Sequence, residues 1–134
     1  MEIYGMSAVA ILAATAIGMA LGALWYSPVL FGAAWMRCVG KTPESLGSST
    51  APIIGSVVAS FLTAVGVALV MSLAGVHSVQ GALQVAAILG LLVVFPAMFS
   101  DSLFCGWGTQ LLFIQTGYRI ASIVLMALAL FFLT

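Results

Sequence analysis

Four long apolar segments alternate with three more polar connections along the chain. The segments cover about residues 4–26, 52–75, 81–103 and 110–133. A helix needs about 20 mostly apolar residues to cross a hydrocarbon core of roughly 30 Å, and each segment reaches that length. Strands of a membrane β-barrel would alternate polar and apolar positions over about ten residues, whereas these segments are apolar on every face. The pattern therefore predicts four transmembrane helices.

The first segment has the length of a membrane span and not of a signal peptide. The apolar core of a signal peptide is about 7–15 residues long and follows a positively charged stretch. Here the apolar run is longer, and only Glu2 carries a charge before it. We therefore expect this segment to be retained as the first span.

The composition excludes the common soluble classes. Of 134 residues, 64% are hydrophobic and 4% are charged, whereas a soluble domain has roughly 25% charged residues. Three basic residues are too few to neutralise a nucleic-acid backbone. The hydrophobicity excludes disorder, and two cysteines exclude a disulfide scaffold. The chain is predicted to be an all-α integral membrane protein, with one transmembrane domain over residues 1–134 and the lipid bilayer as its surroundings.

The first connection is predicted to contain a short helix lying in the membrane interface. Ser27 and Pro28 have the form of an N-cap followed by a first-turn proline. The residues after them place apolar side chains along one face, which predicts an interfacial helix over about residues 28–38. Thr42-Pro43-Glu44 repeats the cap pattern and predicts one more short turn. The other two connections are short, which favours two antiparallel helix hairpins.

The positions of the loop cations predict an orientation in the membrane. Arg37 and Lys41 both lie in the first connection, and cytoplasmic loops carry the excess of basic residues. We therefore expect the first and third loops in the cytoplasm and both termini outside. Two aromatic residues of the first-loop side, Tyr26 and Trp35, are either interfacial anchors or contacts for a ligand.

Small residues recur at four-residue spacing in the first two spans. Such residues let membrane helices approach closely, and the ridges they form are assigned a packing role: Ala14, Gly18 and Gly22 in the first span, and Ser56, Ser60 and Ala64 in the second. One interpretation is packing within a single four-helix bundle. The other is that a ridge faces a second copy, and we expect a homo-oligomer formed in this way.

A polar stripe crosses the fourth span. Gln115, Arg119 and Ser122 lie on one helical face with Tyr118 beside them, and Asp101 is the one acidic residue within the predicted spans. An intramembrane charge normally faces protein or water and often marks a pathway. Arg119 is therefore expected to be sheltered by neighbouring protein, either in a packing clamp with Asp101 or in a site for a substrate, ion or lipid headgroup. A third possibility is that Arg119 alone extends to lipid phosphate.

No pattern for catalysis, a metal or a cofactor is present in the sequence. Cys38 and Cys105 lack metal-ligand spacing, and His77 is predicted on the opposite side of the membrane. Nucleophile, phosphate-binding and zinc-protease motifs are absent from the sequence. Pro96 is expected to kink the third helix.

Two stretches of the chain resemble a known family. Leu24–Met36, with the sequence LWYSPVLFGAAWM, resembles the WYSPxLFGxxW signature of small four-helix bacterial membrane proteins of unknown function. Leu103–Ala127, which contains Gly117-Tyr118-Arg119, is also similar to that family. The resemblance implies a four-helix fold in the bacterial inner membrane and no particular activity.

Three functions are compatible with the sequence. A homo-oligomeric transport or permeation protein for a small solute or ion is the leading hypothesis, with Arg119 and Asp101 binding or gating together with Gln115, Tyr118, Tyr26 and Trp35. The alternatives are an accessory subunit that binds another membrane protein and, least favoured, a membrane enzyme acting on a lipid or quinone. No acid–base or nucleophile set supports the enzyme.

Overall fold

Four membrane-spanning helices and one short helix make up the fold in a computed structural model that describes residues 2–3, 6–41 and 50–134. A short antiparallel pair, β1 (Glu2–Ile3) and β2 (Met6–Ser7), precedes the first helix. The helices are α1 (Ala8–Trp25), α2 (Gly32–Val39), α3 (Thr50–Leu73), α4 (Val79–Ala87), α5 (Phe95–Cys105) and α6 (Gly108–Leu133). A π-helical segment, Ile88–Val94, joins α4 to α5 in one continuous span, Val79–Cys105. The predicted all-α bundle with four spans is confirmed.

Local sequence signals set the helix ends. The Ser7 hydroxyl accepts the Ala10 N–H at 3.0 Å, and the Ser78 hydroxyl accepts the Gly81 N–H at 3.0 Å. Each bond satisfies a backbone donor that has no partner inside the first turn. The helix α5 ends at Gly106. The φ of Gly106 is 70°, a left-handed backbone conformation that glycine adopts most readily.

The core of the bundle occupies the half away from the first loop. Helix α6 contacts α1, α3 and α4 there, and the packed side chains are mostly alanines that are 0% exposed: Ala10, Ala14, Ala64, Ala68, Ala82, Ala86 and Ala127. Ile11, Met71, Met126 and Leu130 fill the spaces between them. Small side chains bring the helix backbones close together, which is the main source of packing energy in a bilayer. This half of the bundle is therefore closed.

The small-residue ridges of α1 and α3 pack inside the chain's own bundle. Ala14, Gly18, Ser60 and Ala64 are buried. The Ser60 hydroxyl donates to the Thr15 carbonyl oxygen at 2.9 Å and so ties α3 to α1. The buried part of these ridges does not face outward, so a second copy would have to dock elsewhere. Ser56 departs from the pattern because its side chain is exposed.

Gly18 is the tightest point of the α1 ridge, and we expect its replacement to weaken the bundle. A Cβ atom at Gly18 would lie 2.5 Å from both the Met126 methyl carbon and the Ser60 hydroxyl oxygen. Gly18→Ala is therefore expected to lower the free energy of unfolding by about 1–3 kcal/mol through overpacking.

Gly66 provides the matched control for this prediction. It also lies in a membrane-spanning helix, but apart from the adjacent residues and backbone of its own helix, a Cβ atom added there would have no neighbouring atom of the described chain within 4 Å. Gly66→Ala is expected to stabilise by roughly 0.5–1 kcal/mol because alanine loses less backbone entropy. Unfolding in mixed detergent micelles measures both variants, and equal effects would contradict the packing described for Gly18.

The short helix of the first connection begins four residues later than the sequence predicts. Ser27 does not cap it: its hydroxyl donates to the Leu24 carbonyl oxygen at 2.7 Å, and its own carbonyl accepts the Gly32 N–H at 2.9 Å. The Phe31 ring packs on Trp25 with centroids 4.8 Å apart. These contacts hold the residues before Gly32 in a tight turn. The predicted turn at Thr42-Pro43-Glu44 lies outside the described residues.

The third span changes its helix type just before Pro96. Proline cannot donate a backbone hydrogen bond and its ring displaces the preceding carbonyl. The span adapts with the π-helical segment Ile88–Val94, which ends two residues before the proline. A distortion at Pro96 is expected from the sequence, but the wider π turn is not.

Candidate functional site

A cavity of about 750 Å³ opens between α1, the first part of α3 and α6. Its wall is mainly apolar, and among the described residues that form it Arg119 is the one charged side chain: Met19, Gly22, Ala23, Tyr26, Pro52, Ile53, Gly55, Ser56, Ala59, Tyr118 and Arg119. Residues near the first-loop ends of α1 and α3 line it, so the cavity lies in the half of the bundle nearer the first loop. It has the volume of a typical small-molecule site.

The cavity exists because the first part of α3 does not pack against the bundle. Every residue from 50 to 58 is exposed, and burial begins at Ser60, whose bond to Thr15 fixes α3 to α1. The segment before Ser60 contains Pro52, Gly55 and Ser56, which offer little side chain to fill a gap. The α3 helix therefore forms one wall of an open cleft instead of closing it.

Arg119 stands in this cavity without a counter-charge from the described part of the chain. Its side chain is exposed, and it also lines a second space of about 70 Å³ beside Ser60, Thr63 and Ser122. Within residues 7–41 and 50–134 no ion pair joins it to Asp101, which is itself exposed on α5. The described part of the chain therefore leaves Arg119 uncovered on the side of α3 residues 50–58, which are themselves exposed.

Two tyrosines build the polar frame around Arg119. The Tyr26 hydroxyl donates to Gln115 Oε1 at 2.7 Å, and the Tyr118 hydroxyl donates to the Gly18 carbonyl oxygen at 2.9 Å. The two rings meet edge to face with centroids 5.5 Å apart. Both hydroxyl protons are thus committed to protein acceptors. The guanidinium carbon of Arg119 lies 5.2 Å from the centre of the Tyr118 ring, which leaves the guanidinium as the strong donor of the cavity.

Tyr26 follows the last residue of the first span and remains protonated under ordinary conditions. Burial raises the pKa of its phenol to about 12, an effect that the positive charge of Arg119 partly offsets. The hydroxyl is therefore a hydrogen-bond donor to Gln115 at neutral pH. The edge of its ring also meets Trp35 of α2, with centroids 5.8 Å apart.

Two hydrogen bonds between α1 and α6 show where Arg119 lies relative to the end of α1. The Trp25 indole N–H donates to the Ile114 carbonyl oxygen at 3.0 Å, and Tyr26 reaches Gln115. The end of α1 is therefore level with residues 114–115, and the Cα of Arg119 is only about 6–8 Å deeper at 1.5 Å per residue. Helical side chains point back toward the N-terminus, so the Arg119 side chain is directed toward the first-loop side. Arg119 is near the middle of its span by sequence count only because α6 extends well past the end of α1.

The structure brings together five of the six predicted binding residues and leaves one apart. Arg119, Tyr118 and Tyr26 line the cavity, and Gln115 and Trp35 each contact Tyr26. Asp101 is exposed on a different helix. The sequence does not predict the cavity residues of α3, such as Ile53 and Ala59. Ser56, which is expected to pack between helices, lines the cavity instead. No sequence signal separates the exposed start of α3 from its packed remainder.

The hydrogen bond from Tyr118 to Gly18, which joins α6 to α1, can be tested by removing the Tyr118 hydroxyl. Tyr118→Phe removes the hydroxyl that donates to Gly18 and leaves the ring in place. We expect the free energy of unfolding to fall by about 0.5–1.5 kcal/mol, the net worth of a typical hydrogen bond. Chemical unfolding in detergent measures this change, and an unaltered stability would show that the bond does not hold α6 to α1.

Comparison with known proteins identifies a family for the chain. A family model described as Protein of unknown function (DUF1761) matches residues 9–131. The chain belongs to this family. The DUF1761 match includes every residue of the cavity wall, and the expectation of an uncharacterised membrane family is confirmed. No curated protein and no solved structure matches the chain.

The described part of this DUF1761 chain offers no metal centre beside the cavity. No group of three His, Cys, Asp or Glu side chains comes together among those residues. The two cysteines are free, with Cys38 half-buried on α2 and Cys105 exposed at the end of α5. The Cys38 thiol contacts Gln110 at 3.5 Å, which joins α2 to the start of α6.

Proposed function

We propose that this protein is a transport protein of the bacterial inner membrane that binds an anion at Arg119 and moves it through the bilayer. One observation carries the proposal: an exposed arginine lines a cavity of about 750 Å³ in the half of the bundle nearer the first loop. In the proposed orientation, with the basic first loop in the cytoplasm, the cavity opens toward the cytoplasm.

The charge of Arg119 favours an anionic ligand. An arginine within a membrane span costs free energy on insertion scales, and such residues are normally paired. Within the described ranges 7–41 and 50–134, no acidic side chain pairs with Arg119. A bound carboxylate or phosphate would supply that pairing, because the planar guanidinium binds both with two parallel hydrogen bonds. A cation would be repelled from the same cavity.

Transport through the site requires a further element, because the cavity is one-sided. The alanine-rich core closes the other half of the bundle, so a single chain in this conformation is not a pore. The proposal therefore includes either a change in helix packing or a second copy that completes the pathway. The π-helical segment supports the first possibility, since Val94 lines the smaller space beside Arg119 and π turns occur frequently at functional sites.

Flux measurements in proteoliposomes test the proposed function. Vesicles of neutral lipid containing the purified protein are given labelled phosphate, acetate, alkyl phosphates and alkyl carboxylates, with potassium as the cation control. We expect saturable uptake of at least one anion and none of potassium. Arg119→Gln should abolish that uptake, whereas Arg37→Gln, which removes an exposed charge of α2, should not.

Two results would overturn the proposal. The first is the absence of any anion uptake that depends on Arg119. The second is equal loss of uptake in Arg119→Gln and Arg37→Gln, which would point to a general effect of surface charge. If the protein instead copurifies with a second membrane protein in fixed ratio and shows no uptake, the accessory-subunit hypothesis replaces transport.

A further inference from the structure

We infer that the anion bound at Arg119 is the headgroup of an amphiphile, a phosphate or carboxylate attached to an acyl chain, that reaches the cavity from within the bilayer. This inference rests on the proposed anion site and adds the chemical class of its ligand. Three features of the cavity lead to it: its open side, its polar inventory and its depth.

The cavity is open to acyl chains along the side between α1 and the start of α3, as well as toward the first loop. The part of α3 that forms its wall is exposed along residues 50–58, and Ile53 is 54% exposed. On α1, Ala23 lines the cavity and is exposed as well. Because both helices span the membrane, these surfaces contact lipid. A molecule that already lies in the bilayer can therefore slide its chain along Ile53 and Pro52 without leaving an apolar environment.

The few polar side chains of the cavity that remain able to bind a ligand suit a single anionic headgroup. The hydroxyl protons of Tyr26 and Tyr118 are donated to Gln115 and Gly18. Arg119 and the exposed Ser56 are left to contact a ligand. A small hydrated anion would lose its water and regain few hydrogen bonds, which costs free energy. An amphiphile compensates with its chain, since each methylene transferred from water strengthens binding about fourfold.

The depth of Arg119 matches the level of lipid headgroups. Trp25 and Tyr26 mark the end of α1, and aromatic rings of this kind lie at the headgroup level. The Arg119 backbone is about 6–8 Å below them by helix rise, and its side chain is directed back toward Tyr26. Arginine reaches the interface in this way by burying its stem along apolar surface. An anionic headgroup would thus move only a short distance inward to meet the guanidinium.

Native mass spectrometry with three matched probes tests this inference. Protein purified in a neutral detergent is titrated with dodecyl phosphate, inorganic phosphate and dodecanol, which carry the charge with the chain, the charge alone and the chain alone. We expect one dodecyl phosphate per chain, bound at least about tenfold more tightly than either other probe. Arg119→Gln should weaken dodecyl phosphate binding by about tenfold or more, and Arg37→Gln should leave it unchanged.

Each outcome of the titration distinguishes this inference from the proposed function. If inorganic phosphate binds as tightly as dodecyl phosphate and depends on Arg119, the amphiphile is wrong and the anion site stands. If dodecanol binds as tightly as dodecyl phosphate, the headgroup is not recognised and the inference fails. If neither phosphate binds in a manner that depends on Arg119, both the inference and the anion site are overturned.

Discussion

Arg119→Gln is expected to remove anion binding while leaving the bundle as stable as the wild type. The guanidinium is exposed in the cavity, and no ion pair joins it to an acidic group of the described chain. Hydrogen bonds to a charged partner contribute roughly 1.5–3 kcal/mol, so losing them should raise the anion Kd by about 10–150-fold. Titration in detergent measures the affinity, and thermal unfolding of the same samples measures the stability.

The stability measurement separates this account from the clamp between Arg119 and Asp101. A clamp predicts that Arg119→Gln and Asp101→Asn both destabilise the protein, and that the double variant is no worse than either single one. The present structure predicts three proteins of nearly equal stability, because Asp101 is exposed on α5 and apart from Arg119. A strong coupling energy between the two positions would contradict the open cavity.

Ser56→Phe is expected to block the cavity and to reduce anion affinity about as much as Arg119→Gln does. Ser56 lies on the α3 wall and its side chain is exposed, so a phenyl ring there has room to form but occupies the ligand's place. A ligand forced to share that space loses about 1–3 kcal/mol, as overpacked side chains do, which raises Kd by about 5–150-fold. The same titration with dodecyl phosphate measures the loss.

Val57→Phe is the matched control for the cavity-filling variant. Val57 is the next residue of the same helix and is 43% exposed, but it does not line the cavity. The Val57→Phe variant should bind dodecyl phosphate as tightly as the wild type does. If both variants lose affinity, the effect comes from α3 in general, and if neither does, the ligand does not use the cavity.

The topology could be predicted from the sequence because the bilayer imposes it. A span such as Thr50–Leu73 contains neither acidic nor basic residues, and its length alone requires a crossing. The small residues at Gly18 and Ser60 likewise identify the closest helix contact, since few side chains permit it. Span length and the spacing of small residues are both properties of a single helix, so they can be identified from the sequence.

The cavity could not be predicted because it depends on how helices diverge. Ser56 and Ser60 belong to one ridge in the sequence, yet Ser60 is buried and Ser56 is exposed. The difference arises where α3 leaves α1, and no residue type marks that point. The exposure of Arg119 in the described chain could not be predicted for the same reason, because the sequence does not show that the start of α3 leaves it uncovered.

The depth of Arg119 also required the contacts between helices. Counting along α6 alone places it near the middle of its span, 11 residues after Gly108. The bonds from Trp25 to Ile114 and from Tyr26 to Gln115 shift the membrane boundary along α6. Measured from the end of α1, Arg119 is therefore only about 6–8 Å further along α6, which the sequence of α6 alone does not show.

Cysteine accessibility tests most directly whether the cavity leads from the first-loop side to Arg119. Arg119→Cys is made in a background with Cys38→Ser and Cys105→Ser, and a membrane-impermeant maleimide is added to one side of sealed vesicles at a time. Lys41→Cys marks the first-loop side, and Thr116→Cys, at a position only 2% exposed, provides the buried control. We expect position 119 to be labelled from the side that labels position 41, and position 116 to remain unlabelled. Labelling of position 119 from the opposite side, or no labelling from either, would contradict this expectation.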